Sequence, residues 1–437
     1  MNIILLSGGS GKRLWPLSND VRSKQFIKMF KNDEGEYESM VQRVYRQITT
    51  VDPNANITIA TSKKQVSMLL NQLDNKVSIC AEPARRDTFP AIVLAAAFLK
   101  YEKGMSDDEP VVVCPIDPYV DNSYFEKLYE LSDLAASGKF HLNLMGAEPT
   151  YPSEKYGYII PQTKEQISEV KEFKEKPDVK AAQRYIEQGG LWSCGIFAFK
   201  LGYLLEISHR FIDFEDYKDI YSRYNELEKI SFDYAVVEKE ESIGCIRFSG
   251  TWKDIGSWNT FTEEMEDAII GNAEMNEVCE NTNVINELNI PILCMGCKDM
   301  IVVASSDGIL VSDKEQSSYI KPFVDKMDDR ARYAEKSWGS FTVLDVQPES
   351  MVIKIVLLPG HKLYYHSHEH RDEVWNVVSG TGRTIVDGME QKIVPGDVIT
   401  MAAGTKHTLI ADTKLSVIEV QLGEDITVED KIKYDMP

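Results

Sequence analysis

The residues best placed to do chemistry open the chain. Ser7-Gly8-Gly9-Ser10-Gly11 follows a short apolar run, Asn2–Leu6, and holds three glycines within four residues. Glycine reaches backbone conformations that other residues resist. Such a loop can turn several N–H groups toward one point and hold a phosphate chain. Lys12, Arg13, Arg22 and Lys24 then place four cations within thirteen residues of a chain whose formal net charge is -21. A cluster of that sign in an acidic protein points to an anionic ligand. Spacing excludes two familiar phosphate loops. A Walker A loop needs glycine where Leu6 stands and Ser or Thr where Arg13 stands, and a dinucleotide fingerprint begun at Gly9 needs glycine at Leu14.

A second group lies at the other end. Of seven histidines only His141 and His209 precede residue 300, and five fall in the last 77 residues. Gly360, His366, His368, Glu373 and Gly380 stand at G-x5-H-x-H-x4-E-x6-G, and Gly396, Gly404 and His407 at G-x7-G-x2-H. This spacing resembles the two motifs of the cupin family, with Ala402 where the second motif has proline. The resemblance implies a β-barrel with a metal held by His366, His368, Glu373 and His407. Three imidazoles and a carboxylate suit a first-row divalent ion (Zn, Mn, Fe, Ni or Co) with open positions. His370 lies off the pattern. Glu373-x-Trp375, Val377-Val378-Ser379-Gly380-Thr381 and Ile418-Glu419-Val420-Gln421 further resemble the type II phosphomannose isomerase domain. That family has Gln at the position of His366 and His at the position of Val374.

The opening loop, with Arg13, Trp15-Pro16 and Lys24-Gln25-Phe26 in register, resembles the sugar-1-phosphate nucleotidylyltransferases, of the bacterial mannose-1-phosphate guanylyltransferase type. Further segments carry the likeness: Glu82-Pro83 with Arg85-Arg86-Asp87-Thr88-Phe89-Pro90-Ala91, Asp117, Lys155-Tyr156-Gly157-Tyr158-Ile159, Glu175-Lys176-Pro177, Trp192-Ser193-Cys194-Gly195, Ile230–Lys239 and Thr251–Trp258. The resemblance implies residue roles. Leu6, Ser7, Gly8, Gly9, Ser10, Gly11, Lys12 and Arg13 would bind the nucleotide phosphates, with Glu82 and Arg86 at the base. Gly157, Tyr158, Glu175, Lys176, Ser193 and Gly195 would bind the sugar phosphate. Asp117 and Asp254 would hold magnesium, a hard cation that takes one or two carboxylates and shares phosphate oxygens. Arg13, Lys24, Asp117 and Asp254 would form the catalytic set. The chain departs from the family at Pro118, where His is usual, and at Ser193, where Asn is usual. Asn offers a donor and an acceptor to sugar hydroxyls, and Ser is shorter.

The implied reaction joins an NTP and a sugar 1-phosphate into an NDP-sugar and pyrophosphate, with GTP and mannose 1-phosphate the default pair. The same chemistry on another sugar or base remains open, with or without isomerase activity in the cupin. So does a sugar-nucleotide-binding protein without catalysis.

Elements must bring these scattered residues together. At 437 residues the chain fits two or three domains. Residues 1–268 alternate strand and helix, the pattern of an α/β fold. The resemblance implies a Rossmann-like nucleotidyltransferase domain with a mixed, mainly parallel sheet. Asn2–Leu6, Asn56–Ala60, Val77–Ala81 and Val111–Cys114 read as strands, and Lys63–Leu73 and Ala91–Lys100 as helices. Residues 269–335 read as a small β connector around Pro291–Cys294, Ile301–Ala304 and Ile309–Ser312. Residues 336–437 read as the cupin barrel. No run of eighteen apolar residues and no signal peptide is present, which predicts a cytoplasmic protein away from membranes. An acidic chain is a poor nucleic-acid binder. Seven scattered cysteines make no disulfide framework, and Cys294 and Cys297 read as two buried thiols rather than a zinc site. A homodimer is implied by the family resemblance alone.

Overall fold

The computed structural model describes residues 1–437 except 10, 11, 20, 328–330, 425, 428 and 429, and of Asp254 the backbone alone. The chain forms two units. The first comprises residues 1–9, 25–66 and 73–265, and the second residues 10–24, 67–72 and 266–437.

The first unit is built on a nine-stranded sheet. Its strands are β1 (Asn2–Ser7), β2 (Asn56–Ser62), β3 (Ser78–Glu82), β4 (Pro110–Pro115), β5 (Leu142–Ala147), β6 (Tyr158–Pro161), β7 (Ile167–Lys174), β8 (Leu191–Lys200) and β9 (Ile243–Phe248), in the order β3-β2-β1-β4-β8-β5-β9-β7-β6. β1 and β4 are continuous apolar runs because both of their faces are covered, as parallel strands require. The sheet is mixed, as expected, and its parallel character is concentrated. β3, β2, β1 and β4 run parallel, as do β5 and β9. The pairings of β8 with β4, β5 and β6, and of β7 with β9 and β6, are antiparallel. α1 (Thr88–Ala97) is buried from Phe89 to Ala97 and packs as a core helix. It starts before the expected Ala91 because Asp87 caps it, its side chain accepting from the Thr88 N–H at 2.8 Å.

The second unit holds the connector and the cupin. In the connector, Ile269–Gly271, Asn283–Asn286 and Met300–Ser305 pair in parallel and Gly308–Asp313 returns antiparallel. Val284, Cys294 and Val302 form its small core. Cys294 is buried as expected, whereas Cys297 is half-exposed, and all seven cysteines are free thiols. In the cupin, a six-stranded and a five-stranded antiparallel sheet enclose a core of Trp375, Val377, Met401, Leu409 and Val417. Among the described residues no helix is long and apolar enough to cross a membrane.

α1 has no room for added volume, since Ala95 and Ala96 are fully buried. Ala95→Leu should destabilise the first unit by about 1–3 kcal/mol through overpacking. That corresponds to a fall of about 2–10 °C in its melting transition, measurable by calorimetry.

Candidate active site and candidate metal centre

The glycine loop leaves β1 where parallel strands end, the usual place for ligands in α/β sheets. Ser7 is buried and its Oγ accepts from Gln25 Nε2 at 3.0 Å. Gln65 Nε2 donates to the Gly9 carbonyl at 3.4 Å, and Thr61 Oγ1 to the Ser7 carbonyl at 3.2 Å. Gly8 and Gly9 are exposed, and a Cβ on either would meet nothing within 4 Å. The loop therefore faces open space, with Gly9 at φ 97. Leu6 is half-buried at the strand end, and Ser10 and Gly11 lie outside the described residues.

The four cations after the loop do not share one role. Arg13 is exposed and Lys24 half-buried. Lys12 Nζ lies 3.5 Å from Asp325. Arg22 is buried and makes a two-pronged pair with Glu287, both bonds at 2.8 Å. It is committed to protein, which corrects the expectation that all four serve an anionic ligand.

Two nucleotide-site expectations acquire protein partners. The buried Glu82 carboxylate accepts from Tyr224 Oη at 2.7 Å. Burial pushes that carboxyl up, against the Tyr224 hydrogen bond and the charge of Arg85. Arg86 Nε donates to the Leu227 carbonyl at 2.8 Å, and Nη1 lies 3.5 Å from Asn225 Oδ1, so part of its guanidinium fastens the 225–227 turn.

A cleft of about 200 Å³ in the first unit gathers most of the expected sugar-side residues, with Asp117, Gly157, Glu175, Ser193 and Gly195 in its wall. Asp117 lies two residues past the end of β4. Residues Pro118–Val120 pair antiparallel with Trp252–Asp254, and the register sets Asp254 opposite Pro118. The ladder thus brings the backbones of two aspartates 137 positions apart in sequence to adjacent places. β8 carries an irregularity between Ser193 and Phe197. Bulged strands are common beside active sites because they re-aim side chains. Here it turns the 193–195 segment into the cleft wall. Ser193 Oγ accepts from the Gly195 N–H at 3.3 Å, and Ser193 N–H donates to the Gly157 carbonyl at 2.8 Å.

Other residues differ from expectation. Tyr158 faces the core, fully buried, its hydroxyl accepting from Ser153 N–H at 2.9 Å and Trp192 Nε1 at 3.0 Å. Tyr156, two residues earlier and outside β6, takes the cleft wall instead, its ring 5.0 Å from Trp192 and 5.2 Å from Trp252. Gly157 makes space for protein: a Cβ there would lie 2.6 Å from Glu175 Oε2 and 2.8 Å from Phe173 Cζ. Lys176 is exposed at φ 45, with Nζ 2.5 Å from Glu175 Oε1.

Sequence reasoning missed Asp233 and the Trp252 indole. Asp233 lines the cleft, its carboxyl pushed up to about 7 by burial and then by the Glu175 charge. Its signal was its place just after Ser231, which caps the short helix Phe232–Ala235. Trp252 Nε1 is buried on the same wall without a hydrogen-bond partner.

In the cupin, His366, His368, Glu373 and His407 are all buried, with their donor atoms within 4.8 Å of one another. Strand Tyr365–His368 puts His366 and His368 on one face, and His366 pairs in register with His407 on the neighbouring strand. Glu373 comes from the other sheet. Each imidazole places Nδ1 against a backbone carbonyl, His366 on Tyr364 at 2.6 Å, His368 on Asp430 at 3.2 Å and His407 on Thr405 at 2.9 Å. A carbonyl only accepts, so the proton sits on Nδ1 and the Nε2 lone pair points inward, as in metal-binding histidines. Burial pulls the His366 imidazole down to about 2, helped by Lys431 and His407, which keeps it neutral. Burial pushes the Glu373 carboxyl up, but His368 and His407 outweigh it and hold it well below the usual range. Glu373 Oε2 and His407 Nε2 lie 3.2 Å apart yet neither has an aligned hydrogen-bond partner. Two such atoms orphaned in a buried site fit a metal ion. Arg371, unmarked by sequence reasoning, donates to Glu373 Oε1 at 3.1 Å and lies 3.1 Å from His368 Nε2. An ion using all four ligands has to displace that second contact.

The family model for nucleotidyl transferase matches residues 2–269, and that for the mannose-6-phosphate isomerase C-terminal region matches residues 325–436. The xanthan biosynthesis protein XanB of Xanthomonas campestris is 30% identical, over 99% of this chain and 97% of its own length. A mannose-1-phosphate guanylyltransferase of Escherichia coli is 29% identical over the same shares. A crystal structure from Thermus thermophilus described as a mannose-1-phosphate geranyltransferase superposes with a TM-score of 0.62 at 26% identity, covering 74% of this chain and 98% of that one. Its architecture and these matches agree, and the chain belongs to the nucleotidyl transferase family.

Proposed function

We propose that this protein transfers a guanylyl group from GTP to mannose 1-phosphate, giving GDP-mannose and pyrophosphate. The reading is supported by relatives bearing the mannose-1-phosphate guanylyltransferase name at 28–29% identity over 99% of the chain. The observation that carries it is the ladder that sets Asp254 opposite Pro118, beside Asp117 at the cleft. A phosphate oxygen of the sugar attacks the α-phosphorus in line, a new P–O bond forms, and the bond to pyrophosphate breaks. Chemistry of this kind asks the protein for positioning and charge neutralisation, with no covalent nucleophile. The glycine loop, Lys12 and Arg13 hold the departing β- and γ-phosphates. Lys24 meets charge that builds on the α-phosphate. Lys176 steers the attacking phosphate, and Glu175, Asp233 and Ser193 present acceptors to sugar hydroxyls. Asp117 and Asp254 would hold magnesium, which would supply charge neutralisation for the phosphates.

A second reading concerns the cupin, whose match bears the name mannose-6-phosphate isomerase C-terminal. His366, His368, Glu373 and His407 would hold a divalent transition ion there. The barrel also holds the buried Glu419, pushed up to about 7 by burial and then by Glu373, and the half-buried Lys431, pulled down by desolvation. Such groups suit a proton-transferring chamber. Coupled conversion of mannose 6-phosphate to fructose 6-phosphate tests it, and metal-loaded protein without turnover removes it.

Pyrophosphate release with GTP and mannose 1-phosphate should be fast in the wild type. Asp117→Ala and Asp254→Ala should each cut kcat by about 10²–10³-fold, with circular dichroism and cupin metal content unchanged. Unaltered turnover in Asp254→Ala places the magnesium elsewhere. A screen of sugar 1-phosphates and NTPs checks Ser193, since release with a different pair marks its departure from Asn as a change of substrate.

The raised Asp233 carboxyl binds its proton more tightly folded than unfolded. Its stabilising contribution is complete below about pH 4 and is lost as pH rises through about 7. Asp233→Asn should therefore flatten the fall in melting temperature over that window and leave the variant more stable above it.

Elemental analysis should find a transition metal in the cupin, near one per chain. His407→Ala should lose it and melt earlier, because an ion that binds only the folded state at ~100 times its Kd adds about 2.7 kcal/mol.

A further inference from the structure

We infer that the β connector is a positioning device for the basic segment after Gly9, with Glu287, Ser305, Asp307 and Gly308 as its positioning residues. The inference rests on the reading of Arg13 and Lys24 as phosphate-binding groups. Residues 10–24 belong to the same unit as the connector. Their own regular structure is one three-residue 3-10 turn, Lys12–Leu14, together with Lys24 at the start of a second. Turns that short do not hold themselves in place.

The connector grips the segment at successive points. Ser305 Oγ donates to the Pro16 carbonyl at 2.7 Å. Gly308 lies under Trp15, close enough that a Cβ there would come within 2.4 Å of Cζ2 of the indole. Asn19 Nδ2 donates to Asp307 Oδ2 at 2.6 Å, while Asn19 Oδ1 accepts from the N–H groups of Val21 and Arg22 at 2.9 and 2.6 Å. Asp307 is itself held, its other oxygen accepting from Arg332 N–H at 2.6 Å. Arg22 closes the series through the fork on Glu287, with its guanidinium 5.3 Å above the Tyr333 ring. Arg22 is 7% exposed whereas the Glu287 side chain is 33% exposed, so the arginine is the member shielded from water. A fork of two parallel bonds fixes direction as well as distance. Breaking one member strands a buried charge.

Arg13 lies between the Trp15 and Pro16 anchors and the glycine loop, and Lys24 lies two residues past Arg22. The connector contacts, from Trp15 to Arg22, therefore lie between the two proposed phosphate cations and within two residues of each. Displacing a catalytic charge by about 1 Å costs on the order of 10²-fold in rate, so these anchors set the nucleotide side of the reaction.

The test varies GTP and mannose 1-phosphate separately in the pyrophosphate assay for Glu287→Gln, Gly308→Ala and the swap Arg22→Glu/Glu287→Arg. GTP binding by calorimetry, which needs no turnover, is measured alongside. The expected result is a fall of about tenfold or more in kcat/KM for GTP in Glu287→Gln and Gly308→Ala. KM for mannose 1-phosphate should stay within about twofold, and cupin metal content should not change. The swap should recover part of the loss seen in Arg22→Glu alone. GTP kinetics equal to wild type in both variants overturn the inference. An equal fall for both substrates with loss of cupin metal also overturns it, since that is a general scaffold. A wild type that binds GTP but releases no pyrophosphate sinks the transferase reading instead, and weakened GTP binding in the variants then decides this inference by itself.

Discussion

The antiparallel insertion of β8 between β4 and β5 is the constraint on which the first unit depends. A parallel neighbour would have carried on the regular ladder that runs from β3 to β4. A reversed strand instead brings Ser193 and Gly195 back toward the end of β4, where Pro115 and Asp117 lie. Its irregular register then lets the 193–195 segment leave the ladder and hydrogen-bond across to Gly157. The cleft exists because strands of both directions meet there and leave a gap that neither half of the sheet closes alone. The short ladder of Pro118–Val120 with Trp252–Asp254 completes the wall from the far end of the domain.

Charge is handled in a way that follows from the acidity of the chain. With carboxylates in excess, cations used for structure are neutralised at short range. Arg22 on Glu287 is an example. Carboxylates that face the cleft pay in desolvation, and Asp233 beside Glu175 titrates high for that reason. The cupin solves the opposite problem. It buries three imidazoles, each oriented by a backbone carbonyl at Nδ1, around one carboxylate, a donor set matched to a cation. Each site is thus specified as much by the groups behind the working atoms as by those atoms themselves.

The connector had little to say as a sequence because its strands are only three to six residues long and much of its apolar surface is exposed, with Leu293, Met295, Ile309 and Val311 all open to solvent. Periodicity cannot mark strands so short. Its significance lies in long-range partners, since Ser305, Asp307 and Gly308 meet Pro16, Asn19 and Trp15. Nothing local distinguishes Glu287 from the many other surface acids of this chain until Arg22 is set against it.

By itself the amino-acid order determined the α/β core, the separate histidine-bearing barrel and the candidate residues that the structure gathers in the cleft and in the barrel. Those features are local: glycines that permit a loop, apolar runs that must be buried, and imidazoles spaced two apart on a strand face. The tertiary structure decided which of those residues line the cleft and which pack against protein. Tyr158 turned to the core onto Trp192 while Tyr156, outside the strand, took the wall, Gly157 made room for Glu175, and Arg22 was claimed by Glu287. It also joined Asp117 to Asp254 and added Asp233, Trp252 and Arg371. Each of these outcomes depends on a contact between segments tens to hundreds of residues apart, and such contacts are set by packing of the whole fold.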